Sequence, residues 1–407
     1  MNITGIIAEY NPLHNGHRYH IEKSKSITGC DGIIAVISGN FVQRGIPSII
    51  DKWAKTRLAL LNGIDLVIEL PVLYSLSSAE FFAFGAVSLL ENLGIVKNLC
   101  FGSECDDIQL LKSIGKILSS EPEEFRYTLK KNLSSGISFP QARSNALIEF
   151  FHSRNNLESG KCSLEKILSS PNNILAIEYC KSLARLKSNI TPVCIKRIGS
   201  SYNSLNIEDN FSSSSSIRNF IREKGNFDDL RNNLPCSVFS TLKRMNCSGY
   251  DFTFEDFMVP YLKYKYFFNG ESLKKLPDVS EGIENRIFNA IKNNHSYKGI
   301  IESSKTKRYT YSRISRILCQ FFLGFDHFDT DSLRKNTCPY IRVLGFNSSG
   351  KKILRAIKEN SHLPIYTKMP QRAGQILKMD TLATNAYSLL NKNIPFNYDY
   401  IKSPIII

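Results

Sequence analysis

The sequence lacks the patterns that define several large classes of protein. Its ten cysteines include no Cys-x-x-Cys pair, and no group of cysteines and histidines has the spacing of zinc ligands. No apolar run approaches the ~20 residues of a membrane-spanning helix, and no basic segment precedes the first apolar stretch. These absences predict a cytoplasmic protein without a metal site, a disulfide or a membrane span.

Two common nucleotide-binding motifs are also missing. There is no Gly-x-x-x-x-Gly-Lys-Ser/Thr loop, which argues against γ-phosphoryl transfer of the P-loop type. There is no Gly-x-Gly-x-x-Gly turn after a strand, which argues against a dinucleotide-dependent redox enzyme. Adenylyl transfer is compatible with both absences.

Basic residues are abundant but unevenly placed. The chain has 407 residues and a net charge of +15, of which residues 1–225 carry +4 and residues 226–407 carry +11. A hydrophobic fraction of 42% is typical of a folded globular protein and excludes wholesale disorder. We therefore expect the second part to bind a polyanion, the alternative being a basic surface that is merely solvated.

The order of apolar segments predicts an α/β fold in the first part. Helical stretches separate five short apolar runs, at residues 4–9, 32–38, 66–70, 98–102 and 193–197. Strands that are apolar throughout and alternate with helices form a parallel sheet that is covered on both faces. We predict a Rossmann-like domain over residues 1–225 and a mainly α-helical, basic domain over residues 226–407.

The strongest chemical signal directly follows the first predicted strand. The segment Asn11-Pro-Leu-His-Asn-Gly-His17 leads into His20, so that three of the seven histidines occupy seven positions. Gly16 lets the backbone approach a nucleotide, and the start of a helix favours an anion. His14 and His17 can then donate hydrogen bonds as charge develops during attack on an α-phosphate. This pattern predicts an ATP-binding nucleotidyltransferase domain in which His14 and His17 are catalytic, rather than a metal pair or two surface histidines.

A polar loop at the end of the second predicted strand is the candidate substrate site. It contains Asn40, Gln43 and Arg44, and the guanidinium of Arg44 can bind a carboxylate or a phosphate through two hydrogen bonds. Asp51 is a candidate N-cap of the next helix. Lys52 is expected to point either to a phosphate or to solvent.

Further candidate nucleotide contacts lie where later strands end or later helices begin. A glycine at a strand end lets a base or ribose pass close to the sheet, and an asparagine amide can contact either group. An arginine after the last strand, and the hydroxyls and guanidinium of a serine-rich helix start, can bind a triphosphate. These candidates are Gly102, Asn172, Asn173, Arg197, Ser213 and Arg218.

One segment of the basic second part has the composition of an RNA-binding site. Four cations and two tyrosines lie between residues 305 and 313, and RNA binding commonly combines phosphate contacts with aromatic stacking. Tyr261, Tyr264 and Phe268 recur at helical spacing and are expected to belong to the core. The candidate RNA contacts are Lys305, Lys307, Arg308 and Arg313.

Taken together, these motifs resemble those of the bacterial tRNA(Met) cytidine acetate ligases, a family of the nucleotidyltransferase superfamily. The match runs in order through GIIAEYNPLHNGHRYH, SGNFVQRG, DKWAKTRLALLNGIDLVIELP, FGSE, SPNNILAIEY, IKRIG and SSSSSIR, and it continues in KRYTYSRISRILCQFFLG and RVLGFNSSG. It therefore covers nearly the whole chain. The stretch after Arg197 departs from the family, since Asn203 stands where a histidine is expected.

The resemblance implies a reaction and a set of binding residues. ATP, with Mg²⁺ on its triphosphate, activates acetate as acetyl-adenylate, and the acetyl group passes to N4 of the wobble cytidine of elongator tRNA(Met). Further ATP contacts carry over onto Gly102, Arg197, Ile198 and one of the pair Asn172 and Asn173, of which we favour Asn172. The ATP-binding loop of the family corresponds to Ile7, Ala8, Glu9, Tyr10, Asn11, Pro12, Leu13, His14, Asn15, Gly16, His17, Arg18, Tyr19 and His20.

Two other functions are compatible with the same residues. An adenylyltransferase that acts on a small molecule would use the same histidine turn, but it has no need of a basic second part. A non-catalytic RNA-binding protein with a nucleotide-binding fold would turn over no ATP. The sequence identifies no protein partner, and it does not indicate which group deprotonates the cytidine amine.

Overall fold

The computed structural model describes residues 1–153, 164–197 and 211–407. Its strands are β1 (Ile3–Ala8), β2 (Gly32–Ser38), β3 (Phe41–Val42), β4 (Ile46–Pro47), β5 (Leu66–Leu70), β6 (Val96–Ser103), β7 (Thr191–Lys196), β8 (Ile341–Phe346), β9 (Ile365–Tyr366) and β10 (Ile405–Ile406). Its first ten α-helices are α1 (Asn15–Thr28), α2 (Lys52–Leu61), α3 (Val72–Ser75), α4 (Ala79–Asn92), α5 (Ile108–Ser120), α6 (Glu123–Ser134), α7 (Phe139–His152), α8 (Leu164–Ser169), α9 (Pro171–Leu186) and α10 (Ser214–Arg222). The remaining α-helices are α11 (Cys236–Cys247), α12 (Val259–Asn269), α13 (Ile283–Asn293), α14 (Tyr297–Ser304), α15 (Tyr311–Phe322), α16 (Thr330–Leu333), α17 (Ser348–Asn360), α18 (Gln375–Leu390) and α19 (Tyr398–Ile401). Within these three ranges, no helix has the length and apolar character that crossing a membrane requires.

A mostly parallel sheet lies at the centre of the molecule. Five parallel strands follow one another in the order β5-β2-β1-β6-β7, and they correspond to the five runs predicted from the sequence. All seven residues of β2 are buried: Ile34 and Val36 pack into the core on one face, and Ile33, Ala35 and Ile37 pack into the core on the other. Because both faces are covered, the strand is apolar throughout, and the predicted α/β fold is confirmed.

The order of the strands creates a crevice at the carboxyl end of β1. From β1 the chain adds β2 and β5 on one side, and it then adds β6 and β7 on the other side. In such sheets, ligands bind outside the carboxyl ends of the strands, at the point where the strand order reverses. The histidine turn connects β1 to α1 at this point.

The second part is mainly helical, as predicted, but it also extends the sheet. β8 pairs with β5 in antiparallel orientation, and β9 and β10 each pair with β8 in parallel orientation. The sequence does not predict these strands, because two of them have only two residues and all of them pair with distant segments. The division of the chain at residue 225 stays a prediction, although the sheet contains strands from both sides of it.

A buried group of charges joins α2 to the C-terminal segment. Asp51 caps α2 by accepting hydrogen bonds from two backbone N–H groups. Lys52 points neither to a phosphate nor to solvent, because its Nζ lies 2.8 Å from carboxylate oxygens of both Glu69 and Asp399. Arg342 on β8 lies 3.7 Å from the same oxygen of Asp399. Buried charges are tolerated only when they are paired, so this group fixes the C-terminal segment against the sheet.

Candidate active site

The histidine turn forms the start of helix α1. His14 caps this helix, since its Nδ1 accepts a hydrogen bond from the backbone N–H of Gly16 at 3.1 Å. The backbone N–H of His14 donates in turn to Nδ1 of His17 at 3.2 Å. Because both Nδ1 atoms are acceptors, the proton of each neutral ring lies on Nε2. The two Nε2–H groups are therefore available to donate to a ligand.

Gly16 is required by the ring that lies over it. A Cβ atom at this position would lie 2.9 Å from Cε1 of His14. The centroids of the His14 and His17 rings are 3.8 Å apart, so displacement of one ring would also disturb the other. The glycine thus serves the histidine arrangement as well as the approach of a ligand to the backbone.

Burial keeps all three histidines of the turn neutral. It lowers the pKa of His14 to about 3 and the pKa of His20 to about 4, and the positive charge of Arg197 adds to the effect in both. Burial also holds the pKa of His17 well below its usual value, with smaller contributions from His14, Arg197 and His20. At neutral pH the turn therefore presents N–H donors without a charge of its own.

A second helix start lines the same cavity as the histidine turn. Ser213 caps α10 by accepting a hydrogen bond from the backbone N–H of Ser216 at 3.1 Å, and residues 212–215 all line the cavity. The first turn of a helix has unpaired N–H groups and the positive end of the helix dipole. Two helix starts at one cavity make it a site for a highly charged anion such as a triphosphate.

Most of the site residues predicted from the sequence line this cavity. They are Ile7, Ala8, Glu9, Tyr10, Asn11, His14, Gly16, His17, Tyr19, His20, Gln43, Arg44, Gly102, Asn172, Arg197, Ser213 and Arg218. The predicted residues that the structure does not place in the lining are Pro12, Leu13, Asn15, Arg18, Asn40 and Asn173. Ile198, predicted to contact ATP, and Asn203 lie outside the described residues.

Three residues of the predicted ATP loop have other neighbours. Leu13 is buried in the hydrophobic core on one face of the sheet. The side chain of Asn15 donates to the backbone carbonyl of Asn232 at 2.7 Å. Arg18 is exposed and pairs with Glu22, one turn further along α1. Helical periodicity explains the positions of Asn15 and Arg18, because successive residues of α1 point to different sides.

The substrate loop is connected to the start of α10 and to the end of β1. Arg44 donates to Oγ of Ser215 at 2.5 Å, and the backbone N–H of Gln43 donates to Oε1 of Glu9 at 2.6 Å. Asn40 does not reach the cavity, since it is buried and its Oδ1 accepts a hydrogen bond from the first backbone N–H of α2 at 2.8 Å. Asn40 therefore supports the helix that follows the loop, whereas Gln43 and Arg44 face the ligand space.

Arg218 lines the cavity, but its guanidinium is held by protein groups. It donates to Oδ1 of Asn11 at 3.1 Å, to the carbonyl of Pro47 at 3.2 Å and to a carboxylate oxygen of Glu255 at 2.9 Å. The same oxygen of Asn11 accepts a hydrogen bond from the backbone N–H of Ile49 at 2.8 Å. Arg218 thus orders the turn after β1 and the substrate loop, and its predicted contact with a triphosphate stays a prediction.

The asparagine pair is divided between two roles. Oδ1 of Asn173 accepts hydrogen bonds from the hydroxyl of Ser103 and from the backbone N–H groups of Glu104 and Cys105, at 2.5–3.0 Å. Asn172 lines the cavity and donates to Oε1 of Glu104 at 2.6 Å. Asn173 therefore fixes the loop after β6, and Asn172 is the member of the pair that can contact a ligand.

The ends of β6 and β7 place Gly102 beside Arg197. A Cβ atom at Gly102 would lie 3.2 Å from Cγ of Arg197. The backbone N–H of Arg197 donates to the carbonyl of Ser103 at 3.0 Å, which holds the two strand ends together. The missing side chain of Gly102 thus leaves room for the arginine at the edge of the cavity.

Lys55 supports the site from below the cavity lining, a role that is not predicted from the sequence. Its buried Nζ donates to the backbone carbonyls of Glu9, Ser38 and Gly39, at 2.7–3.1 Å. Burial lowers the pKa of Lys55 to about 7, although Glu9, Glu69 and Asp51 act in the opposite direction. The lysine ties the carboxyl ends of β1 and β2 together. A charged residue among buried positions of α2 is the sequence signal that would have indicated this role.

The predicted RNA contacts lie away from the cavity lining. Lys305, Lys307 and Arg308 are exposed, and Arg308 pairs with Glu281 at 2.9 Å. Arg313 is engaged with the protein itself: it donates to the carbonyl of Asp278 and lies over the ring of Tyr309. The first three side chains are therefore accessible to a phosphate, whereas Arg313 stabilises its own helix start.

Tyr261, Tyr264 and Phe268 of α12 are exposed and not in the core, contrary to the prediction. Tyr264 and Phe268 are 65% and 75% exposed, and their rings lie against each other with centroids 4.7 Å apart. The buried residues of this helix are instead Val259 and Leu262. Helical spacing shows that the rings share one face, but it does not show which face is buried.

Comparisons with known proteins agree with this geometry. A family model described as HIGH Nucleotidyl Transferase matches residues 1–399. A protein of Clostridium kluyveri and one of Clostridium botulinum, both named tRNA(Met) cytidine acetate ligase, are 65% and 50% identical to this chain over 407 residues. Each alignment covers 100% of this chain and 99% of the relative.

Two crystal structures of Thermotoga maritima TmcAL are similar over the full length of both chains. The structure bound with alpha-thio ATP has a TM-score of 0.90 at 33% sequence identity. The apo structure has a TM-score of 0.91 at 34% identity. Since the sequence relatives also match from end to end, the chain belongs to the HIGH nucleotidyl transferases and, within them, to the family of the tRNA(Met) cytidine acetate ligases.

Proposed function

We propose that the protein activates acetate with ATP and then acetylates N4 of the wobble cytidine of elongator tRNA(Met). The observation that carries the proposal is the pair of neutral imidazoles, His14 and His17, at one of two helix starts that line a single cavity. The names of the relatives support the choice of substrate. The Thermotoga maritima structure with alpha-thio ATP supports the choice of nucleotide.

In the first step, a carboxylate oxygen of acetate attacks the α-phosphorus of ATP. A bond forms between these two atoms, the bond from the α-phosphorus to the bridging oxygen breaks, and pyrophosphate leaves with the electron pair. Negative charge grows on the phosphate oxygens, and the Nε2–H groups of His14 and His17 donate to them. The starts of α1 and α10 add fixed dipoles, so the catalysis is electrostatic.

The other lining residues divide between the two small substrates. Arg44 binds the carboxylate of acetate through two hydrogen bonds, with Gln43 beside it. Asn172 and Arg197 contact the nucleotide. Mg²⁺ enters with the triphosphate, because Glu9 is the single carboxylate among the described lining residues and no cluster of metal ligands occurs in the described part of the chain.

The basic second part holds the tRNA. Its exposed Lys305, Lys307 and Arg308 are suited to phosphate contacts, and they act together with the general excess of positive charge in residues 226–407. The amine of the wobble cytidine then attacks the acetyl carbon, and AMP leaves. Because its substrate is a cytoplasmic RNA, the protein works in the cytoplasm.

The proposal is tested by incubating the protein with ATP, labelled acetate and unmodified tRNA(Met). We expect label in the tRNA together with AMP. His17→Ala is expected to slow label transfer by about 10²–10³-fold, the usual effect of removing one transition-state donor. His362→Ala, which removes an exposed histidine from another part of the chain, is the matched control and is expected to behave like the wild type.

Other outcomes of this assay identify the competing functions. Release of pyrophosphate with transfer of AMP to a different acceptor, and tRNA that stays unlabelled, would indicate an adenylyltransferase for a small molecule. Binding of tRNA without any turnover of ATP would indicate a non-catalytic RNA-binding protein. Either result overturns the proposal.

A further inference from the structure

We infer that the carboxylate of Glu9 is the base that accepts the proton of the cytidine amine during acetyl transfer. This inference rests on the proposed function, because it assigns a residue to the second step of that reaction. It is carried by the position of Glu9, by the hydrogen bonds of the neighbouring histidines and by the charges around the carboxylate.

Glu9 lies where a proton acceptor for this step is needed. It directly follows β1, at the point where the strand order reverses, and it lines the cavity between the histidine turn and the substrate loop. Among the described lining residues it is the only carboxylate. The remaining polar residues of the lining are histidines, lysine, arginines, tyrosines, asparagines, a glutamine and serines.

His14 and His17 are unsuited to accept this proton. Nδ1 of His14 already accepts from the backbone N–H of Gly16, and Nδ1 of His17 already accepts from the backbone N–H of His14. Their Nε2 atoms carry the protons that donate to phosphate. A ring in this state has no lone pair available, so neither of these two histidines can serve as the base.

The hydrogen bonds of Glu9 leave one of its oxygens available. Oε1 accepts from the backbone N–H of Gln43 at 2.6 Å, and Oε2 has no hydrogen-bond partner among the described residues. The same bond ties Glu9 to the loop that contains Arg44, the proposed acetate-binding residue. A carboxylate is also the acceptor that proteins use to recognise the N4 amine of cytosine. One contact can therefore both orient the amine and take its proton.

Burial and the surrounding charges act on the pKa of Glu9 in opposite directions. Arg44 from the substrate loop, Lys55 from α2 and Arg218 from α10 act on the carboxylate, and Tyr179 from α9 lies within its electrostatic reach. Burial raises the pKa of Glu9, while the three cations and the N–H group of Gln43 oppose the increase. A carboxylate that is more basic than an exposed one transfers protons more effectively near neutral pH.

The step balances with the atoms already present. The nitrogen of the cytidine amine attacks the acetyl carbon of acetyl-adenylate, and a C–N bond forms. One proton passes from the nitrogen to Oε2 of Glu9. The bond between the acetyl carbon and the phosphate oxygen breaks, and AMP leaves with the electron pair. Glu9 then returns the proton to solvent.

Separate measurement of the two steps tests the inference. The first step is followed as acetate-dependent exchange of labelled pyrophosphate into ATP. The second is followed as transfer from synthetic acetyl-adenylate to tRNA(Met). Glu9→Gln keeps an acceptor for the N–H group of Gln43 but removes the base, so we expect transfer to fall by about 100-fold or more and exchange to fall far less.

Further variants and a pH series distinguish a base from a structural residue. Glu9→Asp keeps a carboxylate and is expected to recover part of the transfer rate. Wild-type transfer is expected to rise with pH as Glu9 loses its proton, and Glu9→Gln is expected to lack this rise. Glu22→Gln, the same substitution at an exposed site on α1, is the matched control and is expected to match the wild type in both assays.

The outcomes separate this inference from the proposed function. Equal loss of exchange and transfer in Glu9→Gln, or transfer that keeps its pH dependence, would overturn the role of Glu9 alone. Absence of both activities in the wild type would overturn the proposed function itself.

Discussion

At the scale of single residues, the neutral state of His14 connects catalysis with stability. An unfolded chain takes up a proton on histidine near pH 6.5, whereas the buried His14 ring stays neutral down to about pH 3. Between these two values the unfolded state binds more protons than the folded state does. Acidification in this range therefore favours unfolding.

This difference predicts how stability depends on pH. Because of His14, we expect the free energy of unfolding to fall by about 1.4 kcal/mol for each pH unit below ~6.5. Chemical denaturation of wild type and of His14→Gln across a pH series measures the effect, and the variant is expected to give the shallower dependence. His362→Gln serves as the exposed control. Identical slopes for wild type and His14→Gln would show that the ring is not held neutral.

Single residues also show where prediction from the sequence ends. The sequence places polar side chains at strand ends and helix starts, and the structure brings most of them to one cavity. The sequence does not show whether such a side chain points into the crevice or back into the protein. Asn40 and Asn173 point back into the protein and accept hydrogen bonds from backbone N–H groups. Asn172 is the same residue type at a helix start, but it lines the cavity. Lys55 shows no signal of its own beyond a charge at a buried helical position.

At the scale of elements, the start of α10 is predicted to bind the nucleotide as well as to stabilise the fold. Ser213→Ala removes the cap of α10, which is expected to cost about 1 kcal/mol of stability. It also loosens N–H groups that line the cavity, so the KM for ATP is expected to rise. Thermal unfolding and exchange kinetics measure the two effects.

Ser296 provides a matched control for this prediction. It caps α14 in the same manner, accepting from the backbone N–H of Gly299 at 3.1 Å, and it is not among the lining residues. Ser296→Ala is therefore expected to lower stability by a similar amount and to leave the KM for ATP unchanged. A rise of KM in both variants, or in neither, would argue against a nucleotide site at the start of α10.

Elements differ in how well the sequence predicts them. The five parallel strands are predictable, because each is a short apolar run and each is separated from the next by helical segments. β8, β9 and β10 are not, since an edge of the sheet is completed by segments that are distant in the sequence and have few residues. The exposure of the aromatic face of α12 is not predicted for a related reason. A periodic pattern shows which residues share one face of a helix, but it does not show whether that face contacts the core or solvent.

At the scale of the whole molecule, the uneven charge predicts a salt-dependent affinity for tRNA. Contacts between cations and phosphates release counterions, so the affinity is expected to fall steeply as salt increases. Replacing both Lys305 and Lys307 by Ala is expected to reduce the slope of log affinity against log salt by about 2. Lys130→Ala, an exposed substitution in the first part, is expected to leave the slope unchanged. A wild-type affinity that does not respond to salt would contradict a tRNA-binding role for the basic part.

The proposed function requires that acetate activated in this cavity is delivered to one base of one RNA. Its most direct test is mass spectrometry of nuclease-digested tRNA(Met) after reaction with the protein, ATP and isotopically labelled acetate. We expect one labelled acetyl group on the cytidine at the wobble position, formed only when ATP and acetate are both present. tRNA without added mass, in a reaction that converts ATP to AMP and pyrophosphate, would contradict the proposed function.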